Sequence, residues 1–245
     1  MIPLDQHQLE IQKNLRAWHG KPLLQKIYAG FYRRIIPLID QTIPGRIAEI
    51  GSGIGNLKEH LPQAIATDLF PNPWLDLACD GYDLPFADAS LSHLVLFDVF
   101  HHLRAPNAFL LEARRVLAPR GRVILFEPYI SLSSFPVYGL LHHEPVAWKK
   151  PIDFAREIPR PRDYYAAQGN ATRLFFRHEF SHLPNDWNIL SAQAISSFSY
   201  LLSGGYSQSA LYPASCLGLL QWCDEILSQW PSIFGSRCLI SLEKK

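Results

Sequence analysis

The 245-residue chain has room for one sizeable α/β unit, is 48% apolar and 18% charged, and sets 23 basic against 22 acidic residues for a formal charge of +1. This composition excludes a disordered chain, and the near-neutral balance gives no field that would make nucleic acid an obligate partner. Cysteines at 79, 216, 223 and 238 without a CxxC pair, an N-terminus lacking a basic-then-apolar leader, and no apolar run of the ~20 residues that span a bilayer together predict a reducing, cytoplasmic setting. A small molecule is the expected partner.

Residues 1–40 read as two helices, because Leu9, Leu15, Leu24, Ile27, Tyr28, Phe31 and Ile35 recur at three- to four-residue spacing around a break at His19-Gly20-Lys21-Pro22. From Arg46 the pattern changes to short apolar runs separated by helical segments. RIAEI (46–50) is a strand, GNLKEHL (55–61) opens a helix, and AIATDL (64–69) and SHLVLFD (92–98) are strands. RAPNAFLLEARRVL (104–117) is a helix closed by PRG, and GRVILFEP (121–128) is a strand. Such alternation predicts a doubly wound, mostly parallel α/β sheet with right-handed crossovers. Ligands of these sheets sit at the carboxyl ends of the strands, which selects Gly51, Asp68, Asp80, Asp98 and Glu127 for inspection.

Residues 129–186 hold no clear period and read as an insertion that shapes a pocket. Residues 187–223 contain no Asp, Glu, Lys or Arg where average usage would place about seven, and predict a strand and a helix packed on the sheet. An apolar pocket, a homodimer face or a lipid-facing surface are the functional alternatives for this segment. RCLISLEK (237–244) alternates as a final strand. The whole, 1–245, is expected to be one domain: helices over 1–40, a ligand-binding core over 46–128, the insertion, and the rest of the sheet over 187–245.

In EIGSGIG the glycines at 51, 53 and 55 allow a tight turn and close approach of a ligand to the backbone. A dinucleotide fingerprint would need glycine at 56, where the chain has Asn56. Glu49 precedes the loop, and Asp68 ends the next strand, where a carboxylate can accept ribose hydroxyls. With the D-x-x-x-L-P-F stretch from Asp80, the H-H-L of residues 101–103 and the R-V-L-x-P-x-G of residues 115–121, the chain resembles the class I S-adenosylmethionine-dependent methyltransferases. The ubiquinone and menaquinone biosynthesis group is the nearest in pattern.

The resemblance implies a seven-stranded Rossmann-like sheet, an N-terminal helical lid and S-adenosyl-L-methionine as cofactor. It places Gly51, Gly53 and Gly55 along the methionine and ribose, Asp68 on the ribose hydroxyls, and Asp80, Gly81 and Tyr82 around the adenine. Glu49 is then expected to orient the methionine ammonium or the loop. Ser92 stands where the family usually has Asp, and Arg120 where many members have glycine; neither is expected to change function.

For the acceptor, Asp98, His101, His102 and Glu127 are candidates for contact or proton removal, with His101 and His102 the expected catalytic pair. Asp98 could instead contact the methionine or cap the following helix. HHEP (142–145) adds two histidines and a carboxylate, but no zinc spacing is present and no metal is expected. FDVFHHL in place of an N-P-P-Y motif speaks against a nucleic-acid amine methyltransferase. The apolar 187–223 segment beside the basic KKPIDFAREIPRPR (149–162) suits a small or lipid-like acceptor, with peripheral membrane contact a consequence. Oxygen is favoured as the methylated atom. The alternatives are a non-catalytic cofactor-binding module and, third, a nicotinamide dehydrogenase.

Overall fold

A computed structural model describes residues 4–141, 144–154, 165–177, 179 and 186–245. Its centre is a seven-stranded sheet: β1 (Arg46–Ile50), β2 (Ile65–Asp68), β3 (Leu77–Ala78), β4 (Leu91–Phe97), β5 (Leu117–Pro128), β6 (Trp187–Ile195) and β7 (Arg237–Lys244), in the order β3-β2-β1-β4-β5-β7-β6. The first five strands are parallel, and β7 runs antiparallel to both β5 and β6. The expected seven-stranded, mostly parallel sheet is therefore present.

Strand alternation sends side chains to two apolar layers. Ala48, Ile50, Leu94, Leu96, Val123, Leu125 and Ile240 face one layer, closed by α3 (Pro106–Val116) through Phe109, Leu110 and Ala113 and by α4 (Asn170–Phe176) through Ala171 and Leu174. Ile47, Val95, Ile124, Phe126 and Leu239 face the other, covered by α2 (Pro22–Ile35) through Leu24, Ile27, Tyr28, Phe31 and Ile35. Here α1 (Leu4–Gly20) contributes Trp18 and α5 (Leu217–Leu227) contributes Leu217. The aromatic stripe of α2 is thus a core layer, with Tyr28 stacked on Phe97 at 5.1 Å and 12°.

The expected helix at GNLKEHL is corrected to a four-residue 3-10 turn, Asn56–Glu59. Pro62 follows three residues later and disfavours helical backbone at Leu61, so the turn cannot propagate. Prolines at 71 and 73 likewise leave the link from β2 to β3 without a helix. Arg120 adopts φ +63°, a backbone that glycine reaches without strain and that costs an ordinary residue roughly 1–2 kcal/mol.

The charge-free stretch forms the edge strand β6 and the start of α5, as expected, yet Leu211, Leu219 and Trp222 on it are more than half exposed. No helix among the described residues is long and apolar enough to cross a membrane.

Candidate active site

The carboxyl ends of β1, β2, β4 and β5 bring together most of the expected residues. Gly51, Gly53 and Gly55 all have positive φ, so the loop after β1 coils back on itself. A Cβ on Gly51 would lie 2.4 Å from a methyl of Val99, whereas one on Gly53 would meet nothing within 4 Å. Gly51 therefore lets the loop pack under the turn after β4, and Gly53 leaves an open cradle.

Asp68, nearly buried at the end of β2, holds that cradle: its Oδ2 accepts from the Gly53 amide at 2.8 Å, and its Oδ1 from the Leu69 amide at 2.7 Å. The indole Nε1 of Trp74 donates to the Gly53 carbonyl at 2.8 Å. Asn56, the residue that spoils a dinucleotide fingerprint, is buried and donates to the Tyr206 hydroxyl at 3.0 Å.

Glu49 is 3% exposed, and its Oε2 has no hydrogen-bond partner among the described residues. Burial, against a weaker opposing contribution from Ser52 and reinforced by the Asp68 charge, raises its pKa from 4.5 to about 8. Among the described residues no cation pairs with this buried carboxyl, and the methionine ammonium of the expected cofactor is one that fits. Asp80 accepts from the Tyr82 amide at 2.9 Å and forms a tight turn with Asp83. Gly81 packs beside Ile50 and Leu103, and the Tyr82 hydroxyl accepts from the Ala105 amide at 3.1 Å, so this segment is tied to the entry of α3.

The turn after β4 is organised by Glu127. Its Oε1 accepts from the amides of Val99 (2.8 Å) and Phe100 (2.7 Å), and its Oε2 accepts from the His101 amide (3.3 Å) and lies 2.6 Å from His101 Nδ1. Glu127 is fully buried and is the cap of the 3-10 turn Phe100–His102. The capping role considered for Asp98 is thus corrected: at φ +56° it points instead to Arg237, with which it pairs. Burial raises the Asp98 pKa against the lowering by Arg237.

His101 is buried and His102 half-buried, their rings 4.1 Å apart. Burial alone would lower the His101 pKa, but the carboxylates of Glu127 and Glu144 outweigh it and bring it to about 10. His102 is lowered to about 4 by burial and by the neighbouring His101, and its Nδ1 lies 2.9 Å from the Tyr165 carbonyl. Two adjacent histidines are thereby driven to opposite protonation states.

Glu144, the carboxylate of HHEP, joins them; His142 and His143 lie outside the described residues, as do Arg156, Glu157, Arg160 and Arg162. Lys149 and Lys150 are exposed. Sequence reasoning overlooked Arg237, which is 2% exposed among the rings of Phe31, Phe126 and Tyr200. The available signal was an arginine heading an otherwise apolar strand. A cavity of about 320 Å³ between the α1–α2 turn and residues 203–214 is lined by none of the expected site residues.

Residues 48–125 match the family description of a methyltransferase domain. No curated protein sequence matches the chain significantly. Among solved structures, the chain is similar to an S-adenosylmethionine-dependent methyltransferase of Thermotoga maritima described as a possible histamine N-methyltransferase, with 14% identity, 96% of this chain and 99% of that one covered, and a TM-score of 0.54. It is also similar to geranyl diphosphate C-methyltransferase of Streptomyces coelicolor (12%, 90% and 80%, 0.51) and to an S-adenosylmethionine-dependent methyltransferase of Archaeoglobus fulgidus (17%, 90% and 94%, 0.52). At these identities the likeness is one of fold. The sequence match adds that residues 48–125 carry a methyltransferase domain, within a fold shared with S-adenosylmethionine-dependent methyltransferases.

Proposed function

We propose that the protein methylates a small or lipid-like acceptor, preferentially on oxygen, with the cofactor held by Glu49, Gly51, Gly53, Gly55 and Asp68. The observation that carries this reading is the buried Glu49 carboxyl, whose Oε2 has no hydrogen-bond partner among the described residues, beside an open glycine cradle braced by Asp68. The cofactor supplies an activated methyl group on a sulfonium, so no strong nucleophile is asked of the chain.

What the residues do is bind, orient and remove a proton. Glu49 neutralises the ammonium of the methionine end, and Asp68 accepts the ribose hydroxyls while keeping the Gly53 amide fixed. Asp80, Gly81 and Tyr82 provide the adenine wall. Val99, packed against Gly51, joins the cradle to the His101–His102 turn. Holding the reacting atoms in line is the main source of rate. The His101–His102–Glu144 group contacts the acceptor and takes its proton, a task that oxygen acceptors require more than amines do.

An apolar acceptor with an anionic head suits the uncharged 187–223 segment and the exposed Lys149 and Lys150. Geranyl diphosphate, the ligand in the similar Streptomyces structure, has this chemistry, although that enzyme methylates carbon. The likeness of the L-P-F and H-H-L motifs to the ubiquinone and menaquinone group points the same way. The whole chain is taken as one domain working in the cytoplasm, in keeping with four free cysteines.

Replacing Asp68 by alanine removes charged hydrogen bonds worth ~1.5–3 kcal/mol, so the cofactor dissociation constant should rise roughly ten- to a hundredfold by calorimetry. Unchanged affinity in a folded Asp68→Ala protein would remove Asp68 from the site.

A further inference from the structure

We propose that His101, His102 and Glu144 form a binding site for one divalent transition-metal ion of the zinc type. His101 Nε2 lies 3.3 Å from Glu144 Oε2, and His102 Nε2 lies 3.4 Å from Glu144 Oε1. One ligand atom from each residue can be chosen so that all lie within 4.8 Å of one another. These separations exceed the ~2.7–2.9 Å of a charge-assisted N–H···O bond. Each, measured to a different oxygen of the carboxylate, is close to the edge of a tetrahedron, about 3.3–3.4 Å, built with metal–nitrogen and metal–oxygen bonds of about 2.0–2.1 Å.

The tautomers agree with this assignment. His101 Nδ1 faces the Glu127 carboxylate at 2.6 Å and His102 Nδ1 faces the Tyr165 carbonyl at 2.9 Å; both partners are acceptors, so both Nδ1 atoms donate. Each Nε2 then faces the Glu144 carboxylate, and an ion bound there would take the place of the proton that Glu127 and Glu144 otherwise hold on His101. Glu127 and the Tyr165 carbonyl are the outer partners that fix ligating imidazoles in known metal sites. Glu144 is itself oriented by Gln168 Nε2, which donates to Oε2 at 2.9 Å.

Two imidazoles and one carboxylate favour zinc, cobalt or iron over magnesium or calcium, which prefer oxygen ligands throughout. Three protein ligands leave a fourth position open, as in catalytic sites, and the half-buried His102 gives a path in. The ligands come from two distant segments, which is why spacing alone predicted no metal. If the proposed methyl transfer holds, a cation held by His101, His102 and Glu144 would lower the pKa of an oxygen acceptor, and in the metal-free protein the same group is left to take its proton. Metal binding itself does not depend on that reading.

The test uses untagged, full-length protein stripped with a chelator, with neither cofactor nor acceptor present, titrated with cobalt and then zinc. The expected result is one equivalent bound, seen as the visible absorption of a low-symmetry cobalt site and displaced by zinc. Glu144→Gln and His102→Gln should each weaken binding by more than the roughly 10–100-fold typical of losing an outer partner. Folded protein without a cobalt spectrum, or with zinc affinity unmoved by both substitutions, would overturn the proposal. Because the cofactor is tested separately, either idea can fail alone.

Discussion

Glu49→Gln is expected to stabilise the cofactor-free protein at neutral and alkaline pH while weakening its grip on the cofactor. Glu49 has a folded pKa of about 8 against an ordinary 4.5. A raised pKa on an acid means that the folded state binds more protons than the unfolded one between those values, so stability is fully present below pH ~4.5 and is lost as pH rises through 8. The loss approaches about 5 kcal/mol at the alkaline end, an order-of-magnitude figure from 1.36 kcal/mol per unit. Glutamine keeps the shape and removes the titration. Thermal melts across pH 4.5–8.5 should show the two proteins converging at the acid end and the variant ahead at the alkaline end. The same change should cost ten- to a hundredfold in affinity, since a charged partner for the ammonium is lost. A variant that melts in parallel with the wild type at every pH would show that Glu49 is not buried as an ionisable carboxylate.

The second large effect concerns Arg237 and Asp98. Arg237 is almost fully buried and its Nε has no hydrogen-bond partner among the described residues, so its charge is matched chiefly by Asp98. Removing either member leaves a buried ion without its partner, at about 3–5 kcal/mol. Asp98→Asn and Arg237→Met should therefore each lower the melting temperature by more than 5 °C, on a scale of roughly 2–4 °C per kcal/mol for a chain of this size. The double variant should be less destabilised than the sum of the two, because neither charge then remains to be solvated. Additive losses would show that the pair does not interact energetically. The positive φ of Asp98 fits this account, since a short acidic side chain tolerates that backbone better than most residues.

The sheet and the glycine loop were legible in the sequence because both rest on local patterns: apolar runs of strand length, and glycines at positions 51, 53 and 55 that the structure places at positive φ. The helix expected at residues 55–61 was not formed because Pro62 and the prolines beyond it override a helical pattern too short to nucleate alone. Asp98 sat where an N-cap belongs, yet Glu127, distant in sequence, supplies the cap from the neighbouring strand. Glu144 and Arg237 reach the site only through tertiary contacts, and no spacing rule connects them to His101 or Asp98. Sequence reading thus reached the residues proposed to hold the cofactor, which lie at strand ends. It reached less of the proposed acceptor side, which draws on the insertion and on β7.

The central claim, that the loop after β1 holds the methionine end of the cofactor through Glu49, is tested most directly by calorimetric titration of the wild-type protein. S-adenosylmethionine and S-adenosylhomocysteine would be titrated at pH 7 in two buffers of different ionisation heat. The account predicts one-to-one binding of both, with a net release of protons as the ammonium displaces the proton carried by Glu49. Folded protein that gives no binding with either ligand would contradict it and make the glycine loop a piece of scaffold.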